Sequence, residues 1–93
     1  MGQTDEVTLS HDSERDVLYA KVAGASLDHA IDAPSGDWAF VPNVDTAGNV
    51  TGVIIMYATD RSLPWAESDD MNVLPPNVRS AIDRWYEELR HTR

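Results

Sequence analysis

Apolar and polar residues alternate with a period of two through most of the first 57 positions, and with a helical period after residue 75. Val7 and Leu9 alternate with Thr8 and Ser10, which predicts a short strand over Glu6–Ser10. The polar run His11–Asp16 reads as a turn, and Val17–Val22 as the returning strand of a hairpin. Gly24 marks the next turn. Leu27, His29 and Ile31 then alternate with Ser26, Asp28, Ala30 and Asp32, predicting a half-buried third strand. Pro34-Ser35-Gly36-Asp37 is a turn signal, because proline fixes φ and glycine supplies unusual φ values.

Trp38–Val44 reads as a fourth strand, and Pro42 inside it demands an edge or a bulge, since proline cannot donate to a ladder. Asp45-Thr46-Ala47-Gly48-Asn49 forms the next turn, with Gly48 placed for a left-handed conformation. Val50–Tyr57 has apolar residues on both faces, the pattern of a central strand covered on both sides. Residues 58–74 form a long connection, in which Leu63-Pro64-Trp65 suits a short helical turn and Trp65 an anchor to the core. Pro75-Pro76 suits a helix start. Val78, Ile82, Trp85 and Leu89, with Ala81 alongside, make one apolar stripe to about Arg90. The fold class is therefore α+β: an antiparallel β-meander of about five strands with a C-terminal amphipathic helix packed on one face. One domain fills residues 1–93, with a flexible 1–5, the meander over 6–57, the connection over 58–74 and the helix over 75–91.

Charge adds a constraint on partners. The net charge is −9, and it is uneven: residues 1–74 hold 13 acids against 3 bases, whereas residues 75–93 hold 3 acids against 4 arginines. Such a surface repels nucleic-acid backbones and anionic membranes and attracts a basic protein. Cysteine is absent, which removes disulfides, thiolate nucleophiles and zinc–thiolate sites. The first residues lack the apolar run of a signal peptide, and the longest strongly apolar run, Val53–Met56, is too short to span a bilayer. The expectation is a soluble cytoplasmic protein.

Two segments carry a resemblance. Asp12-Ser13-Glu14-Arg15-Asp16-Val17-Leu18-Tyr19-Ala20-Lys21-Val22 places an Asp-rich turn before a strand with Leu-Tyr, and Asp45-Thr46-Ala47-Gly48-Asn49-Val50-Thr51-Gly52-Val53-Ile54-Ile55 places an Asp-x-x-Gly turn before a Val-x-Gly-Ile-like strand. Both resemble the domain-of-unknown-function family 2283, over roughly residues 5–60, with the helix outside the match. The chain departs from that pattern at Ile54, where the family often has glutamate. The resemblance implies a small sheet-plus-helix domain, no established chemistry, and a partner among small toxin-like proteins.

Candidate chemistry is sparse. His11-Asp12 sits in a turn, His29 in phase with an apolar strand face, and His91 at a terminus; each reads as structural or solvated. Asp45–Asn49 lacks the third and twelfth ligands of a calcium loop, so Asp45 reads as the cap of its own turn. Glu67-Ser68-Asp69-Asp70 reads as a solvated acidic loop rather than a metal site. Hydrolase elbows, phosphate-binding glycine loops and dinucleotide fingerprints are missing, which argues against an enzyme, and no cofactor is expected. Tyr86 follows Trp85 and so projects off the main stripe as an exposed aromatic. The expected interaction surface is Trp65, Glu67, Asp69, Asp70 and Tyr86. Three roles remain open: an acidic, antitoxin-like or regulatory interaction module for a basic protein; a small-molecule-binding or catalytic domain with a pocket under residues 58–74; and a homodimer formed through the Pro42 edge or the helix face.

Overall fold

A computed structural model describes residues 6–60 and 69–91 of the protein. Strands β1 (Val7–Asp12), β2 (Val17–Val22), β3 (His29–Ala30), β4 (Phe40–Val44) and β5 (Val50–Met56) are followed by two described 3₁₀ segments, Ala58–Asp60 and Asp69–Val73, and by helix α1 (Pro76–His91). The strands form one antiparallel sheet in the order β1-β2-β5-β4-β3. The sheet is meander-like: β1–β2 and β3–β4–β5 are runs of sequential neighbours, and the two runs join through β2 and β5. This join puts β5, the most apolar strand, at the centre.

The core lies between one sheet face and α1. Leu18, Ala20, Phe40, Val53 and Ile55 point to that side and are buried with Val78, Ile82 and Tyr86 of the helix and with Ala58, Met71 and Leu74. Val7, Leu9, Val22, Trp85 and Leu89 pack around this cluster. Helix α1 begins where its sequence predicts. Pro75 O accepts the Arg79 N–H (3.0 Å), and Pro76 fills the first turn, where a missing N–H costs nothing.

Several elements differ from the sequence expectation. The third strand shrinks to two exposed residues. Pro42 supplies the reason. In an extended strand the N–H and C=O of one residue point the same way, and Pro42 O faces β3, where it accepts the Ile31 N–H (2.9 Å). The return bond from position 42 does not exist, so the ladder stops there. Strand β4 is thus not an edge, but the proline faces its weak side. The fourth strand also starts late, because the Asp37 carboxylate accepts the Ala39 N–H (2.9 Å) and Asp37 O accepts the Phe40 N–H (3.1 Å), holding Trp38 in a turn. Helical structure at Leu63-Pro64-Trp65 and the anchoring role of Trp65 lie outside the described residues.

The β4–β5 hairpin turns as expected, with Gly48 at φ 89° and the Asp45 carboxylate accepting the Ala47 and Asn49 N–H groups (3.0 and 2.9 Å). A bulge follows: Asn43 pairs with Gly52 but Val44 pairs with Val50, so Thr51 is the extra residue. Its buried Oγ1 has no partner among the described residues. Beside the bulge, β2 and β5 approach so closely that a Cβ on Gly52 would lie 2.8 Å from Ala20 O and 2.9 Å from Lys21 Cβ. Both obstacles belong to a strand or its root, so the central ladder itself must open. Gly52→Ala is expected to destabilise the fold by about 1–3 kcal/mol, outweighing the ~0.4–1 kcal/mol gained from a stiffer unfolded chain. A lower midpoint of urea unfolding, with the slope unchanged, would show it.

Candidate functional site

A polar cluster joining three parts of the chain centres on Asp16. This residue ends the β1–β2 turn at φ 57°, a left-handed conformation that aspartate tolerates better than most residues. Asp12 Oδ1 accepts the Glu14 and Arg15 N–H groups and shapes the turn leading to it. The Asp16 carboxylate then accepts three donors: His11 Nε2–H (2.9 Å), the Thr59 N–H (3.0 Å) and Thr59 Oγ1–H (2.7 Å). Asp16 O also accepts the Ala58 N–H (2.9 Å). Burial would raise the pKa of this carboxyl, but the bonds from His11 and Thr59 outweigh burial and hold it below its ordinary 3.8. A carboxylate only accepts, so the hydrogen on the His11 side sits on Nε2. The His11 ring packs against Trp85 at 5.1 Å between centroids.

These contacts do not make a nucleophilic relay. That relay needs an imidazole between hydroxyl and carboxylate. Here the carboxylate is in the middle, and Thr59 turns its proton toward Asp16 rather than toward His11. The cluster joins elements instead. His11 belongs to β1, not to the turn, and the cluster ties the hairpin to the chain leaving β5. On the far side of that chain Tyr86 Oη–H donates to Ala58 O (2.7 Å). Between the two anchors Tyr57 is held at φ 55°, an unusual conformation for a bulky residue. The residue is 53% exposed, and its ring meets that of Trp38, 67% exposed, edge to face at 5.7 Å.

Two members of the interaction surface expected from sequence, Tyr86 and Asp70, are buried. Tyr86 is 4% exposed and belongs to the core, so it is not the projecting aromatic of the helix. Trp85 packs beside it edge to face at 4.9 Å, and both fit one broad stripe. Asp70 is 5% exposed, not solvated: its carboxylate accepts the Ser35 N–H (2.9 Å) and Ser35 Oγ–H (2.6 Å), fixing the 3₁₀ segment to the Pro34–Asp37 turn. Asp69 lies in that same segment, Asp69–Val73. Trp65 and Glu67 lie outside the described residues. His29 is exposed rather than half-buried, with Nδ1 2.7 Å from Asp28 Oδ2, and His91 makes an exposed pair with Glu87 at 3.7 Å. No group of three or more metal-binding side chains converges among the described residues.

A different surface emerges on the sheet face turned away from α1. The strand registers bring Val17, Tyr19, Val41, Ile54 and Met56 together there. Tyr19 is 41% exposed and the others are half-buried. A groove of about 150 Å³ runs over this face, lined by Tyr19, Ile54, Thr8, Ser10, Lys21 and the exposed Leu27 among others. Asn43 is buried at one side of it, its Nδ2 donating to Val41 O (3.3 Å). The alternation of Val17, Tyr19, Ile54 and Met56 was visible in the sequence. The sequence pattern of β5 suggested cover on both faces, whereas the core cluster draws its strand residues from the helix side alone.

The Asp16 cluster generates a pH dependence with a definite sign. The folded carboxyl titrates below its ordinary 3.8, so on acidification the unfolded chain binds its proton first. The stabilisation is whole above that ordinary value and is lost as pH falls through the folded one. Asp16→Asn keeps a residue that tolerates the left-handed turn but removes the charge. It is expected to cost about 1–2 kcal/mol at neutral pH and to show a shallower acid-side loss than the parent; urea unfolding from about pH 7 down to about pH 3 would display both. Tyr86→Phe leaves Ala58 O without its donor in the core and is expected to cost about 1–3 kcal/mol in the same assay.

No family model, curated protein or solved structure matches the chain.

Proposed function

We propose that the protein is an interaction module that holds a basic protein partner on the sheet face opposite α1. One observation carries this reading: the centre of that face is apolar and half-open in an otherwise strongly acidic chain. An antiparallel sheet with one solvated face ordinarily places polar residues there. Here the positions are Val17, Tyr19, Val41, Ile54 and Met56. An apolar centre with a polar rim is the composition of a protein interface. Thr8, Ser10 and Lys21 supply part of that rim.

The net charge of −9 selects among partners. It raises the encounter rate with a basic protein and opposes nucleic acid, anionic membrane and a second acidic copy. The resemblance of the two hairpin segments to the domain-of-unknown-function family 2283 supports the same reading and suggests an antitoxin-like or regulatory role. The described helix is not long and apolar enough to cross a membrane.

The test is a native pull-down with the full tagged chain and with a Tyr19→Ser/Ile54→Ser double variant. The parent is expected to retain one small basic protein at near-stoichiometric level, released as salt rises. The variant, folded by circular dichroism, is expected to bind it at least about tenfold more weakly. Equal retention by both proteins, or retention of nothing but further copies of the chain, would overturn the reading.

A further inference from the structure

The backbone hydrogen bonds can be followed across the sheet strand by strand. The Ala23 N–H donates to Glu6 O (2.7 Å), the Met56 N–H to Ala39 O (2.8 Å) and the Ile31 N–H to Pro42 O (2.9 Å). Combined with the antiparallel registers, these bonds fix which residues of every strand face which neighbour. In β1 the even-numbered residues face β2. Val7, Leu9 and His11 therefore direct their N–H and C=O groups outward, along the edge of the sheet.

The two edges differ. Strand β3 has two residues, and behind it Pro42 offers no N–H. Strand β1 has six residues, with neither proline nor lysine to blunt it. Beside it lies a groove of about 290 Å³ lined by Val7, Asn77, Ser80, Ala81 and Arg84. These helix positions recur at three and four residues and so form one flank of α1. The space between sheet and helix thus continues past the edge of β1.

We infer that the β1 edge takes up an extended segment of a basic protein by strand addition. This deepens the interaction reading above but uses a different surface. The outward N–H and C=O groups of Val7, Leu9 and His11 would supply the main-chain bonds. Alternate side chains of the added strand would enter the groove beside Ser80, Ala81 and Arg84. Lysine or arginine flanking the segment would meet Glu6 at one end and Asp12 and Glu14 at the other. A second copy fits less well. Pairing Leu9 with its own counterpart sets Glu6 opposite Asp12, a like-charge pair, between chains of net charge −9.

The experiment uses the full chain labelled with ¹⁵N and a panel of synthetic peptides. Each peptide has a short alternating Thr/Val strand flanked by lysines, and the panel varies the residue facing the groove among Thr, Ser, Asp and Leu. In the free protein the Val7, Leu9 and His11 amides are expected to exchange hydrogen readily while those of Thr8 and Ser10 are protected. Binding of at least one peptide is expected to slow exchange at Val7, Leu9 and His11 by at least about tenfold. A peptide N-methylated at its outward-bonding residues is expected not to bind. Val7→Pro, which removes one outward donor at the first residue of the strand, is expected to weaken binding at least about tenfold without unfolding the chain.

Absence of binding across the panel at millimolar peptide would overturn the inference. So would protection of the three amides in the free chain, whether constant or rising with protein concentration, because the edge would then be covered by the chain itself or by a second copy. Peptide-induced changes confined to Tyr19, Ile54 and their neighbours would also overturn it, while leaving the sheet-face reading intact.

Discussion

The Asp16 carboxylate is the constraint on which the arrangement of this protein depends. The apolar core packs the hairpin, the exit of the central strand and the C-terminal helix together, and polar bonds fix how they meet. Asp16 takes donors from β1, through His11, and from the chain after β5, through Thr59, while its own carbonyl receives Ala58. Tyr86 closes the assembly from the helix side by donating to Ala58 O. Charge-assisted bonds are about twice as strong as neutral ones, and three of them converge on a carboxyl group that is mostly shielded from water. Two non-glycine residues of this region, Asp16 and Tyr57, sit at positive φ, where each costs on the order of 1–3 kcal/mol. The strain at Tyr57 has a visible consequence. It turns the ring out of the strand alternation and stands it against Trp38 on the surface.

The second determinant is a shortage of covering material. A chain of this length hides roughly 60–65% of the surface its unfolded form would expose. Among the described residues, one helix and short 3₁₀ segments cover one face of five strands, and the core cluster takes its strand residues from that face only. The opposite face keeps Val17, Tyr19, Ile54 and Met56 because β2 and β5 must bond each other at the centre of the sheet, where β-branched and aromatic residues pair best. Gly52 shows how tight that centre is: the strands meet where no side chain fits.

The legible parts of the fold were those governed by local periodicity. Strand β2 and helix α1 announce themselves by spacing, and β5 by its apolar run, since a single element sets each pattern. The Gly48 turn and its Asp45 cap were legible for the same reason, because the bonds join residues within four positions. The candidate site was much less so. Asp70 looks like one member of an acidic run until Ser35, 35 positions away, is brought to it. Tyr86 looks like the residue beside the stripe until Ala58, 28 positions away, accepts its hydroxyl. His11 and Asp16 could be seen as polar neighbours of one turn, but their third partner, Thr59, is 43 residues further on. In each case the sequence contains the functional group and not its partner, and a polar residue is buried or exposed according to whether that partner exists. The length of β3 was not legible for a related reason. Its own alternation is good, but its ladder depends on a donor that Pro42 lacks.

The acidic charge and the apolar sheet face act at different ranges. A net charge works across about a Debye length, roughly 8 Å at physiological salt, and acts on the rate at which charged molecules approach. It contributes little once two surfaces touch, because a rim ion pair in water is worth about 0–1 kcal/mol. Apolar contact contributes only at touching distance, at roughly 25 cal/mol for each Å² removed from water. On the proposed reading, a face with Ile54 and Tyr19 at its centre, on a chain with thirteen acids in its first 74 residues, separates those two tasks. The same separation, on that reading, disfavours pairing of the exposed apolar face with its own copies. Two such faces could pack together, but two chains of net charge −9 must first be brought within reach of each other. On the reading proposed above, the acidity that opposes approach of a second copy is the same property that favours a partner of opposite sign.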